Sequence, residues 1–159
     1  MGMYSPNGVL RRQHYDILNA YEGWQLRTVY GYYWLQEPRD SKQPSSKRGM
    51  LFEEAVYLDF GQAKGLVVST HPKYAAIVVG QYSRAQLRHW GDGLGEEWHF
   101  VSEGIGMQDN WRELIGQPLT GYQVIREFGR DAGLFLEFGG PSVLVSGFRH
   151  QLGVQGYVF

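Results

Sequence analysis

The sequence predicts a mainly β (α+β) fold: two related antiparallel β-meander halves forming a sandwich or partly open barrel, with an N-terminal helix and short helical turns. Three observations lead there. Glycine supplies 22 of the 159 residues, roughly twice ordinary usage, which disfavours helix interiors and suits turns and bulges. The 8 Phe, 11 Tyr and 5 Trp fit a pleated, half-buried surface. Apolar residues come in short runs bounded by turn chemistry, and several of these runs occur twice. The length suits one domain, residues 1–159.

The elements follow in chain order. Leu10, His14, Ile17, Leu18 and Tyr21 fall on one face of a helix. The spacing predicts a helix over 9–21, with Asn7 as its cap and Gly23 at its end. Gln25–Leu35 reads as a strand. Gln36–Met50, with two Pro, three Ser and a net charge of +2, is too polar to bury and reads as a hairpin loop. Leu51–Phe60, Leu66–Thr70 and Ala75–Val79 read as strands, and Ser83 caps a short helix over Arg84–Trp90. Trp98–Val101 reads as a strand, and Asp109 or Asn110 caps a helical turn over Trp111–Ile115. Leu119–Phe128, Leu134–Phe138, Val143–Ser146 and Val154–Phe159 complete the strands.

Self-similarity organises this list. Tyr57-Leu-Asp-Phe-Gly61 matches Phe135-Leu-Glu-Phe-Gly139, and Leu66-Val-Val-Ser69 matches Leu144-Val-Ser-Gly147, both 78 residues on. Gly23-Trp-Gln-Leu26 matches Gly116-Gln-Pro-Leu119 at 93. The difference, 15 residues, is the size of the polar Gln36–Met50 loop. Collinear matches with one explicable gap predict an internal duplication, about 9–80 and 110–159. Alternation places Asp59 and Glu137 on the solvent side and spreads Leu58, Phe60, Leu136 and Phe138 across the faces.

Several function classes drop out. With no Cys there is no disulfide, thiol nucleophile or thiolate metal site. The longest apolar stretch, Ala75–Val79, is far short of a spanning helix. The first residues lack the apolar run of a secretion signal, so a cytoplasmic location is expected. A net charge of −1 gives no bulk attraction to nucleic acid or to a membrane. His14, His71, His89, His99 and His150 show no metal-ligand spacing. His14 lies on the apolar helix face, where a packed, hydrogen-bonded side chain is the simpler reading. No G-x-S-x-G is present, Gly91-Asp-Gly-Leu-Gly95 lacks the ending of a phosphate loop, and Glu53-Glu54 and Glu96-Glu97 point to opposite faces if in strands. We expect no enzyme, no cofactor and no metal.

Charge placement says more. Gly91–Glu113 carries six acids and one base, a net −5, interleaved with Trp98, Phe100, Met107 and Trp111 and preceded by Trp90. Acids alone would mark a solvated face, and Trp111 suits inward packing beside Leu114 and Ile115. Acids mixed with Trp and Gly suit a recognition surface, because aromatic anchors dominate interface energies while charge steers encounter. The expected partner-binding residues are Trp90, Asp92, Glu96, Glu97, Trp98 and Glu103.

Asp109-Asn-Trp-Arg-Glu-Leu-Ile-Gly-Gln-Pro-Leu119, followed by a strand, Leu134-Phe-Leu-Glu-Phe-Gly-Gly and Val143-Leu-Val, is similar to bacterial immunity proteins encoded beside polymorphic toxins, including those of Rhs and type VI secretion effectors. The resemblance covers about residues 109–147, with a weaker echo at 23–70. It implies an intracellular inhibitor that binds one cognate protein toxin and blocks its active site or substrate access. The family shares no fixed contact residues to carry over. The expectation is a monomer binding its toxin one-to-one. The alternative is a small-molecule or sugar-binding β domain using its Tyr and Trp side chains.

Overall fold

A computed structural model describes residues 6–36, 50–71, 73–87, 98–108, 110–148 and 151–157, with positions 6, 33–36, 50–54, 98–103, 148 and 151 described by backbone alone. Two antiparallel sheets pack face to face without closing into a barrel. The first runs β4-β3-β2-β1-β5 and the second β6-β7-β8-β9. The strands are β1 Thr28–Gln36, β2 Met50–Asp59, β3 Gly65–Thr70, β4 Ile77–Tyr82, β5 Trp98–Gly104, β6 Gly121–Glu127, β7 Arg130–Glu137, β8 Ser142–Phe148 and β9 Gln151–Tyr157. β1–β4 and β6–β9 are each a meander, and β5 returns to pair with β1. Short turns join β2 to β3, β3 to β4, β6 to β7 and β7 to β8.

The helix α1 is shorter than the periodicity predicts, Arg12–Ala20, and Asn7 does not cap it. Asn7 sits at φ 59 in a preceding 3-10 turn, Pro6–Gly8. His14 Nδ1 instead accepts the Arg11 N–H at 2.8 Å, which places a buried histidine in the capping role. The predicted apolar face does point inward: Leu10, Leu18 and Tyr21 are buried, with Ile17 packed against the core. The second short helix is α2, Arg84–Leu87. Ser83 Oγ accepts the Gln86 N–H and Gln86 Oε1 accepts the Ser83 N–H, a reciprocal cap. Around 111–115 a 3-10 turn, Arg112–Leu114, forms with no side-chain cap. Asn110 is drawn away to β9, where its Oδ1 accepts the Gly156 N–H at 3.1 Å. The Gln36–Met50 loop lies outside the described residues at 37–49.

One core fills the space between the sheets. Val29, Val56, Leu58, Leu66, Val68, Ile77 and Val79 meet Leu134, Leu136, Val143, Val145 and Leu152, closed at one end by Trp111, Leu114 and Tyr21. Phe60 and Phe138 belong to the same core, so with Leu58 and Leu136 all four aromatic-Leu-acid-Phe apolar residues face one interior rather than two faces. Leu58 and Phe60, like Leu136 and Phe138, are two residues apart, so alternation carries each pair to the same face. Asp59 and Glu137 are half-buried at the strand ends.

The two meanders pair through equivalent residues. Gly23 N–H donates to Leu119 O (2.7 Å) and Gly116 N–H to Leu26 O (2.7 Å). Leu26 N–H donates to Gln117 O and Leu119 N–H to Trp24 O, both at 3.0 Å. A shift of 93 residues turns each bond of a pair into the other, the pattern of an approximate two-fold axis. Arg27 N–H to Asp59 O and Thr120 N–H to Glu137 O, both 2.8 Å, repeat the relation within each half. Gly23 and Gly116 share φ near +88 (89 and 87), and Gly61 and Gly139 are at 81 and 76. In β3 and β8 the register differs from the sequence match by one residue. Leu58 faces Leu66 while Leu136 faces Val143, so Val143, not Leu144, is the equivalent of Leu66. The turn leading into β8 is one residue shorter than its counterpart leading into β3, and a one-residue slip exchanges faces.

Candidate functional site

The acidic, aromatic stretch is the strongest functional signal in the sequence, and the fold fixes the chain on either side of residues 88–97. At one end, Leu87 of α2 is fully buried among Tyr32, Ala55, Tyr57, Val67 and Val78 on the outer face of the first sheet. At the other, β5 is tied to β1 over its whole length, from Gln36↔Trp98 to Tyr30↔Gly104. Of the expected contact residues, Trp98 and Glu103 therefore occupy register positions on β5 opposite Gln36 and Gly31. Trp90, Asp92, Glu96 and Glu97 lie outside the described residues. β5 ends the sheet order, the place where a strand can receive another chain.

The anchor under α2 is built from tyrosine and arginine. The Arg84 guanidinium lies 3.6 Å from the Tyr30 ring centroid, and its Nε donates to Tyr32 Oη at 3.1 Å. Burial pulls Arg84 down, but the Tyr32 hydrogen bond and the nearby Tyr30 and Tyr57 hydroxyls raise it on balance, so it stays a cation. Tyr57 stands edge-on to Tyr30, 6.2 Å between centroids. Burial, then the neighbouring Asp59 carboxylate, pushes its phenol up to about 12. Four strands and a helical turn thus form a rigid base from which the acidic stretch departs.

Among the described residues, His71 and Trp111 are packed into the fold. His71 is buried, its Nδ1 accepts the Lys73 N–H at 3.1 Å, and its ring lies 5.0 Å from that of Tyr74. His89 and His150 lie outside the described residues, and His99 is described by backbone alone. Trp111 is buried in the core, and Met107 is exposed. Among the described residues no three metal-ligating side chains come together, and no helix is long and apolar enough to cross a membrane.

No family model matches the chain, nor does any curated protein or solved structure. The site must be read from its own chemistry.

Two features escaped sequence reasoning. The Arg84–tyrosine anchor joins residues up to 54 positions apart, so only the sheet register reveals it. The second is Phe128, 94% exposed at the tip of the β6–β7 hairpin with φ 52, followed by Gly129 at φ 75. Two strands separated by X-Gly signal a two-residue hairpin, but a strand reading through Phe128 hides it. Asn or Asp normally fills that left-handed position, and a bulky aromatic there is an outlier. At its foot, Ile125, Ala132, Gly133, Leu144 and Ser146 line an open depression of about 360 Å³ on the outer face of the second sheet.

Proposed function

We propose that this chain is an immunity-type binding protein that holds a cognate protein toxin one-to-one in the cytoplasm and covers its active site or substrate access. The observation that carries the reading is the net −5 stretch Gly91–Glu113, which follows the buried Leu87 and contains β5, paired to β1. A charge-dense segment steers encounter with a basic cleft. Trp90 and Trp98 supply the aromatic anchors, and Asp92, Glu96, Glu97 and Glu103 oppose Lys and Arg of the toxin. The resemblance around 109–147 supplies the class of partner, including the type VI and Rhs setting. The alternative, a small-molecule or sugar site built from Tyr and Trp, has one described feature on its side, an open depression of about 400 Å³ bordered by Trp24, Tyr21, Lys64 and Gln81, whereas Tyr32, Tyr57 and Trp111 are buried and packed.

The test is co-expression with the toxin encoded beside this chain. The two proteins should co-elute, and lysine at positions 92, 96, 97 and 103 together should weaken the complex at least ~tenfold and flatten its salt dependence. Co-elution with unchanged affinity removes the acidic surface. Failure to co-elute, with the toxin still active, removes the immunity role.

A further inference from the structure

The approximate two-fold lets one half of the molecule be read as a template for the other. On the outer face of the first sheet, Leu87 is seated among Tyr32, Ala55, Tyr57, Val67 and Val78. The strand registers carry these five positions onto Ile125, Gly133, Phe135, Leu144 and Gly153 of the second sheet. Tyr32 pairs with Ala55 as Ile125 does with Gly133, and Tyr57 with Val67 as Phe135 does with Leu144. Val78 pairs with Ser69 as Gly153 does with Ser146. The open depression of about 360 Å³ is lined by three of the five, Ile125, Gly133 and Leu144. In the first half this seat is filled by a turn of helix from the chain itself. In the second half Ile125 is 36% exposed, and Phe135 and Leu144 are half-buried.

Charge frames the vacant seat. Glu127 lines the depression and Glu137 lies on the same face at the far end of β7, and neither carboxylate has an ion-pair partner among the described residues. Arg130, also at the rim, is turned onto Tyr74, its guanidinium 4.0 Å from that ring centroid. Stacking leaves that charge in place, so Glu127, Glu137 and Arg130 sum to −1 around the seat. In the template, the residue three before the buried leucine is a base, Arg84, one helical turn away.

We infer that the outer face of β6–β9 is a second docking surface, whose occupant is a basic amphipathic helical turn of a partner protein. An aliphatic side chain of the turn fills the Ile125–Gly133–Leu144 seat, and a Lys or Arg one turn earlier meets Glu127 or Glu137. Helix-in-groove recognition works by such i, i+3 anchors. The surface is distinct from the acidic stretch, so it stands or falls independently of the toxin reading.

The probe is a cross-linked helical peptide of about twelve residues carrying Arg-Ala-Gln-Leu, the cross-link removing most of the ordering cost of a short helix. It is titrated into the full-length chain while backbone amide resonances are followed. Shifts should concentrate at Ile125, Gly133 and Leu144. They should weaken at least ~tenfold with Asp in place of the peptide leucine, and likewise with Leu144→Glu or Ile125→Lys in the chain. Glu127→Lys should weaken them less and remove their salt dependence. Ile125 is on the exposed rim, so that variant guards against a fold lost with Leu144. Shifts confined to the Leu87 seat, or none up to ~1 mM peptide, overturn the inference. So does sedimentation of the free chain as a dimer that Leu144→Glu dissolves, which would assign the face to a second copy.

Discussion

Gln25 and Pro118 face each other in an isolated antiparallel bridge, and each is the other's equivalent across the approximate two-fold. The four hydrogen bonds that flank the bridge are two reciprocal pairs. The segment entering each meander is thus held by the segment entering the other, and the two sheets are joined at their roots as well as through the shared core.

Leu26 and Leu119 sit one residue beyond this bridge, both fully buried. Truncating either to Ala should cost about 2–5 kcal/mol of stability, as buried leucines do. Because each backbone bonds the opposite segment, the double variant should depart from additivity by on the order of 1 kcal/mol. Urea unfolding of the two single variants and the double gives the coupling. Strict additivity would mean that the halves respond as independent units at the bridge.

Gly147 of β8 lies against the backbone that leads into β4. A Cβ placed there would lie 2.2 Å from Ala76 O and 2.5 Å from its carbonyl carbon, and backbone gives way far less than a side chain end. Gly147→Ala should destabilise by at least about 1–3 kcal/mol. Gly104→Ala is the control, since nothing lies within 4 Å of its Cβ position, and it should change stability by less than about 0.5 kcal/mol. Equal midpoints in thermal melts of the two variants would refute this close contact.

Tyr57 makes stability depend on alkaline pH. Its phenol is raised from 10.0 to about 12 by burial and by Asp59, so the folded state holds the proton more tightly than the unfolded chain. The contribution is complete below pH 10 and is lost as pH rises through 12. Denaturant midpoints should fall across that window, and Tyr57→Phe should flatten the fall there. Tyrosinate absorbance should show one phenol fewer titrating late in the variant. A wild-type profile superimposable on that of Tyr57→Phe would exclude Tyr57 as the source.

The architecture was legible because local chemistry carried it. Alternating apolar residues, X-Gly and Gly-rich turns, and the repeated aromatic-Leu-acid-Phe-Gly edge mark strands and their ends without reference to anything distant. Boundaries were less legible where a tertiary contact competed. Asn110 reaches β9 instead of capping the turn beside it, and His14 rather than Asn7 satisfies the start of α1. The one-residue slip in β8 could not be seen by aligning letters, because the apolar neighbours Val143 and Leu144 score alike whichever of them faces the core. Of the site, the acidic stretch was visible as a charge run, and Trp98 and Glu103 do fall on a strand. The Arg84 anchor was not visible, since it depends on registering β1 against β2.

Phe128 sets stability against binding. A left-handed backbone costs an L-residue with a bulky side chain on the order of 1 kcal/mol, and Asn visits that region routinely. With 94% of the side chain exposed, Phe128 recovers little of this cost by burial. Phe128→Asn should therefore stabilise the chain by about 1 kcal/mol, a rise of roughly 2–4 °C in the melting midpoint. Phe128 also borders the depression on the outer face of the second sheet, so the same variant should weaken the cross-linked Arg-Ala-Gln-Leu peptide several-fold. A gain in stability with a loss in binding is the signature of a residue kept for its contacts. Scanning calorimetry and the peptide titration on one preparation measure both, and a lower melting midpoint would place Phe128 among residues that hold the hairpin instead.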